Sequence, residues 1–188
     1  MATQVVPRQL SIRDFVSELR QFPESAFVHT AELLAFLQRT CVEPETLSPY
    51  LNWDRQHYTR NLIDKTLLYE LIAICWEVGQ VSSVHNHREQ NCWMTVPMGR
   101  LLVENFHLAS QDLEQGVCQL TPTDTLEMSP AHPCAVDPSD PVHRVVIRPV
   151  TLQMSAQSKF NRIHWIRFFT MPSAKQASAQ DVHICAHE

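Results

Sequence analysis

Along the first forty positions, apolar residues recur every three or four places. Ser11 precedes Ile12, Phe15, Val16 and Leu19, which predicts a helix whose free amides Ser11 can cap, with Asp14 three residues on as a capping-box variant. A second helix is predicted over Glu24–Thr40, with Phe27, Val28, Leu33, Leu34 and Leu37 on one face. Pro44 and Pro49 flank a short third helical segment. From about Gln56 the rhythm shortens. Apolar runs bounded by turn residues cover Leu67–Glu77, Val81–His87, Cys92–Val96, Leu101–His107, His143–Val150 and Ile163–Thr170. That spacing predicts an antiparallel sandwich or barrel, with the helices covering one end of a sheet. Thr121–Pro141 is rich in proline and polar residues and reads as loop with room for one strand. The expected organisation is one domain: a helical cap over 1–55, a barrel over 56–172, and a polar, mobile tail over 173–188.

Composition narrows the function classes. The chain has 188 residues, 44% of them hydrophobic and 19% charged, which suits one globular domain. Its 15 basic against 20 acidic residues lack the basic footprint of nucleic-acid binding. The longest apolar run, Leu71–Trp76, is too short to span a bilayer, so no membrane role is expected. The first ten residues carry no apolar stretch of the secretory kind, and the expected location is cytoplasmic. None of the six cysteines forms a CxxC pair, so all are expected as reduced thiols. Glycines only at 79, 99 and 116 leave no phosphate-cradling loop or nucleophile elbow. Oligomeric state is open.

Candidate chemistry centres on His85-Asn86-His87. On a strand, residues at i and i+2 face the same side, so the two imidazoles could share one ion. Gly79 lies six residues before His85, and Gly99 twelve after His87, just ahead of Leu101-Leu102-Val103. The arrangement resembles the first motif of the cupin barrel, with Cys92 standing where many cupins carry a metal-binding glutamate. Without that carboxylate, a third neutral imidazole must complete the site. His143, ahead of Val145-Val146-Ile147, is the best candidate. Three neutral histidines would leave Fe(2+) its full charge and three open positions, which favours an anionic ligand such as a thiolate.

The likeness then becomes more specific. Tyr58-Thr59-Arg60-Asn61-Leu62 resembles the YTRNL segment of cysteine dioxygenases, Ser82–His87 their SSIHDH strand, and His143-Arg144-Val145 their HRV motif. Cys92 sits at the spacing of the family's crosslinking cysteine. The resemblance is collinear from about Tyr50 to Thr170. It implies a mainly β, single-domain cupin (jelly-roll-like) barrel with an N-terminal helical cap. It implies Fe(2+) held by His85, His87 and His143, with Arg60 on the substrate carboxylate and Tyr58 as a nearby hydrogen-bond donor. The family's S-x-H-x-Y strand has its nearest match in Arg162-Ile163-His164-Trp165-Ile166. His164 fits the middle position and is expected near bound oxygen or substrate. Serine becomes Arg162 and tyrosine becomes Ile166, so the family's cysteine–tyrosine crosslink is not expected and Cys92 should stay a free thiol.

What the resemblance implies is oxidation of L-cysteine by O2 to cysteine sulfinic acid. Alternatives are a dioxygenase for another carboxylated thiol such as 3-mercaptopropionate, a metal cupin of another reaction class, and a cupin that only binds a small ligand. A second chelating pair, His183 and His187 beside Cys185, is a weaker metal reading, and His29, His57, His107 and His132 read as ordinary surface histidines.

Overall fold

The computed structural model describes residues 6–87, 90–112, 114–129, 133–136 and 142–147, and the backbone of 162–170. The expected tail after Pro172, and with it His183, Cys185 and His187, lies outside the described residues, as does His132.

Ser11 Oγ accepts the Asp14 amide at 3.1 Å and starts helix α1 (Ile12–Leu19), which buries Ile12, Phe15 and Leu19. The single helix expected over Glu24–Thr40 is two: α2 (Glu24–Val28) and α3 (Thr30–Arg39). Between them His29 adopts an extended backbone (φ −104°, ψ 117°), which ends one helix and turns the chain into the next. Strands β1 (Arg8–Leu10) and β2 (Thr40–Val42) pair in parallel, and the segment flanked by the two prolines is a 3-10 helix, Pro44–Tyr50.

The remaining described strands make two sheets. The first has the order β3 (Thr59–Lys65), β4 (Tyr69–Glu77), β10 (Arg162–Thr170), β5 (Cys92–Met98), β8 (Cys134–Ala135). The second has the order β7 (Val117–Met128), β6 (Leu101–Asp112), β9 (His143–Val146). Alternation on β4 and β5 explains why the first sheet reads as continuous apolar runs. Tyr69, Leu71 and Trp93 point to the helical cap and pack with Phe15, Leu19, Phe27 and Leu33. Ile72, Ile74, Trp76, Met94 and Val96 point the other way and pack between the sheets on Leu101, Val103, Met128 and Val145. Gly99, at φ +95°, makes the turn from β5 into β6, a backbone shape that side chains resist.

Several expectations shift. The stretch read as loop with one strand holds the end of β7, Thr121–Met128, and also β8, and β6 runs five residues past His107 to Asp112. Pro122, which suggested a loop, sits where the β6–β7 register slips between Glu104 and Phe106, and a proline is tolerated at such a bulge. Strand β3 was not expected at all. Val81–His87, expected as a strand, forms no continuous ladder with β9 and bridges it at two places, Val81 with Val146 and His85 with His143. Cys41, Cys75, Cys92 and Cys134 are free thiols, whereas Cys118 is disulfide-bonded, against the expectation of six reduced cysteines. None of the described helices is long and apolar enough to cross a membrane.

Candidate metal centre

His85 and His143 exchange both backbone hydrogen bonds, each amide to the other's carbonyl at 2.9 Å. Residues directly opposite in an antiparallel pair point their side chains to the same face, and His87, two residues on from His85, joins them there. Ring centroids lie 5.1 Å apart for His85 and His87, 4.6 Å for His85 and His143, and 5.0 Å for His87 and His143. His143 and His87 are buried and His85 half-buried. One ring nitrogen from each residue falls within 4.8 Å of the others.

The donor set fits a transition-metal ion. Nε2 of His87 and Nε2 of His143 face each other at 3.3 Å. Two nitrogens bound at about 2.0–2.1 Å to one ion, at tetrahedral or octahedral angles, lie roughly 2.8–3.4 Å apart. The His85 Nδ1 lies 2.9 Å from the Ser83 carbonyl, which can only accept, so Nδ1 carries the proton and Nε2 keeps its lone pair for a ligand. Imidazole donors suit iron, zinc, copper and nickel, so the donors alone do not choose among them.

The other expected site residues fall around this core. Arg60 pairs with Ile74 across the β3–β4 ladder and therefore sits on the sheet face that carries Ile74 and Trp76, at an exposed edge. Tyr58 stacks on Trp76, centroids 4.1 Å apart and planes 20° from parallel, so its visible role is packing. Cys92 is fully buried between the sheets in the cluster of Trp76, Met94 and Val145. The backbone of His164 pairs with Cys75 and Met98, and its side chain is not described. His29, His57 and His107 are exposed, as expected of surface histidines. Sequence reasoning assigned nothing to Ser82 and Ser83, although the paired serines directly precede the histidines. It also passed over Arg144, which bonds Glu104 at 2.6 Å on the outer face of β9 and lies 5.7 Å over the Phe106 ring.

Two facing antiparallel sheets with a helical cap and a three-histidine cluster define a cupin with a site fit for a metal. The family model for cysteine dioxygenase type I matches residues 1–132, and the chain belongs to that family. It is 25% identical over 108 residues to cysteine dioxygenase type 1 of Danio rerio (57% of this chain, 54% of that protein) and 30% identical over 96 residues to that of Homo sapiens (50% and 47%). The chain thus spans about half the length of the curated relatives it matches. Among solved structures, a cupin superfamily protein from Desulfitobacterium hafniense superposes with a TM-score of 0.43 at 8% identity, over 67% of this chain and 88% of that one. The family match takes in Arg60, His85, His87 and Cys92 and stops before His143, whose membership of the site rests on its geometry with His85 and His87.

Proposed function

We propose that His85, His87 and His143 hold Fe(2+) and that the protein is a thiol dioxygenase whose first substrate is L-cysteine. The observation that carries this reading is the convergence of three imidazoles, joined by no carboxylate among the described residues, in a chain of the cysteine dioxygenase family. When bound, iron would supply the redox chemistry that lets O2 react with a closed-shell thiol. The overall change is balanced: the thiol loses four electrons, O2 gains them, both oxygen atoms end on sulfur, and the proton stays with the sulfinic acid.

The chain's own residues hold and orient. Neutral imidazoles leave the ion's charge uncompensated, which favours the substrate as thiolate at neutral pH. Arg60 offers a planar fork of donors that matches a carboxylate in a way lysine cannot. The Tyr58–Trp76 stack gives an apolar wall on the same sheet face as Arg60 and keeps bulk water from that side. Cys92 is buried beside it.

The test is oxygen consumption by the iron-loaded protein with cysteine, 3-mercaptopropionate and cysteamine. Thiol-dependent O2 uptake with a product 32 Da heavier than cysteine is expected. Iron-loaded protein that consumes no O2 with any of the three, or that acts equally under nitrogen, overturns the reading.

A further inference from the structure

The segment Val81–His87 approaches β9 with a slip in register. Val81 bridges Val146 and His85 bridges His143. Four residue steps on one side therefore face three on the other. Had the pairing run on regularly from Val81, Val84 would stand opposite His143. A one-residue shift in register exchanges the two faces of a strand, so His85 would then point away from the cluster. The extra residue is what brings His85 opposite His143, and bulges of this kind serve to re-aim a side chain.

Ser82 holds the slip. Its amide donates to the Val145 carbonyl at 2.9 Å, as a ladder residue would. The return bond is irregular: the Val145 amide donates to the Ser82 hydroxyl at 2.9 Å instead of to a backbone carbonyl. Ser82 is buried, 6% exposed, and its hydroxyl donates onward to the Ser83 carbonyl at 2.9 Å. That same carbonyl receives the His85 Nδ1 at 2.9 Å. The polarity of this chain of bonds is forced from its ends. An amide can only donate and a carbonyl can only accept, so the hydroxyl proton must point to Ser83, and Nδ1 of His85 must bear its proton.

We propose that Ser82 is a positioning residue of the metal centre. Its buried hydroxyl stands in for a backbone carbonyl, pins the bulge that sets His85 against His143, and orients the Ser83 peptide that fixes the His85 tautomer with Nε2 free. The proposal rests on the reading that His85 is a metal ligand.

The experiment compares Ser82→Ala, Ser82→Cys and Ser82→Thr with the wild-type chain, using Co(2+) as the probe. Affinity is measured by competition with a chromophoric chelator, coordination by the visible spectrum, and the apo fold by thermal melting. The His85 tautomer is read from nitrogen shifts of the apo protein. Loss of a group that orients a ligand typically weakens binding by about 10–100-fold. That loss is expected for Ser82→Ala and Ser82→Cys at a temperature where the apo fold is intact, together with a changed spectrum and a His85 tautomer mixture. Ser82→Thr, which keeps the hydroxyl, should recover most of the affinity. If Ser82→Ala does not fold, the near-isosteric Ser82→Cys against Ser82→Thr decides. Affinity within about twofold of wild type, an unchanged spectrum and an unchanged tautomer in the cysteine variant overturn the proposal. A wild-type chain that binds no Co(2+), or a His85→Ala variant that binds it equally well, instead overturns the metal reading. The apo tautomer measurement still decides the role of Ser82 in that case.

Discussion

His87 and His143 meet nitrogen to nitrogen at 3.3 Å in a buried setting, although 56 positions separate them in the chain. Without an ion between them, one ring must donate to the other, and only one of the two lone pairs is used. With an ion, both are used. His85→Ala, His87→Ala and His143→Ala should therefore each lose stoichiometric Fe(2+) binding, because two imidazoles seldom hold Fe(2+) against water. Metal analysis after gel filtration checks this. Full iron content in the His143→Ala chain would remove the ligand that lies outside the family match.

Arg60→Ala should weaken carboxylated thiols selectively. The residue is exposed at the edge of β3, so its bond to a carboxylate belongs with ordinary charged hydrogen bonds, worth about 1.5–3 kcal/mol, or roughly 10–100-fold in kcat/KM for cysteine. Cysteamine, which has no carboxylate, should be nearly unaffected. Equal losses for both thiols would take Arg60 out of that role.

Cys92 should remain a free thiol through turnover. It is fully buried and unoxidised, and the sequence has tyrosines only at 50, 58 and 69. Tyr69 donates to Asp64 at 2.6 Å in the cap-side cluster, and Tyr58 lies flat on Trp76. After reduction of disulfides, intact mass following turnover should match the sequence, with Cys92 alkylated only after unfolding. A two-hydrogen loss mapped to a Cys92–tyrosine peptide pair would contradict this.

Asp64 gives the acid limb of stability a specific source. It ties helix α1 to β3 by accepting Arg20 Nη2 at 2.5 Å and Nε at 3.1 Å, as well as the Tyr69 hydroxyl. Burial works to raise its carboxyl, but the bonds from Arg20 and Tyr69 outweigh burial and hold it below the usual carboxylate range. Burial, and after it the bond to the Asp64 carboxylate, push the Tyr69 phenol up against the opposing pull of Arg20. A lowered folded value means the stabilisation is complete above the unfolded value of about 3.9 and is lost as pH falls through the folded one. Asp64→Asn should cost about 1–2 kcal/mol at pH 7. The gap to wild type should narrow below about pH 4, and urea unfolding at pH 7 and pH 3 measures it. An equal gap at both would show that the charge is not what stabilises.

The cap, the interior strands and the three-histidine cluster were legible because their signals are local or nearly so. Phe15 and Leu19 repeat at helical spacing, β4 and β5 are apolar on both faces, and His85-Asn86-His87 carries its own geometry. Strand β3 was missed because it is an edge: Arg60, Leu62 and Lys65 are exposed, and a register slip between Leu62 and Asp64 breaks the alternation. Strand β7 was misread because most of its residues are exposed, so composition alone resembled a loop. The contribution of Ser82 was illegible because a bulge exists only between two segments, and neither segment records it alone. Nothing about His29 as an N-terminal boundary stands out either, since the apolar spacing runs on through it.

The three clustered histidines are split between two parts of the chain that meet through few backbone bonds. Beyond those, β9 is four residues long and is held on its other side by β6. An ion bound by all three histidines would act as a clasp between them. It would close a long loop whose entropy the unfolded chain otherwise keeps, as a covalent staple does. Release of the ion should then loosen β9 before it loosens the helical cap, whose core of Phe15, Leu19 and Leu33 has no share in the site. The protein's iron supply would thus govern the persistence of one edge of the fold as well as its chemistry, and amide exchange at Val145 would serve as a gauge of iron loading.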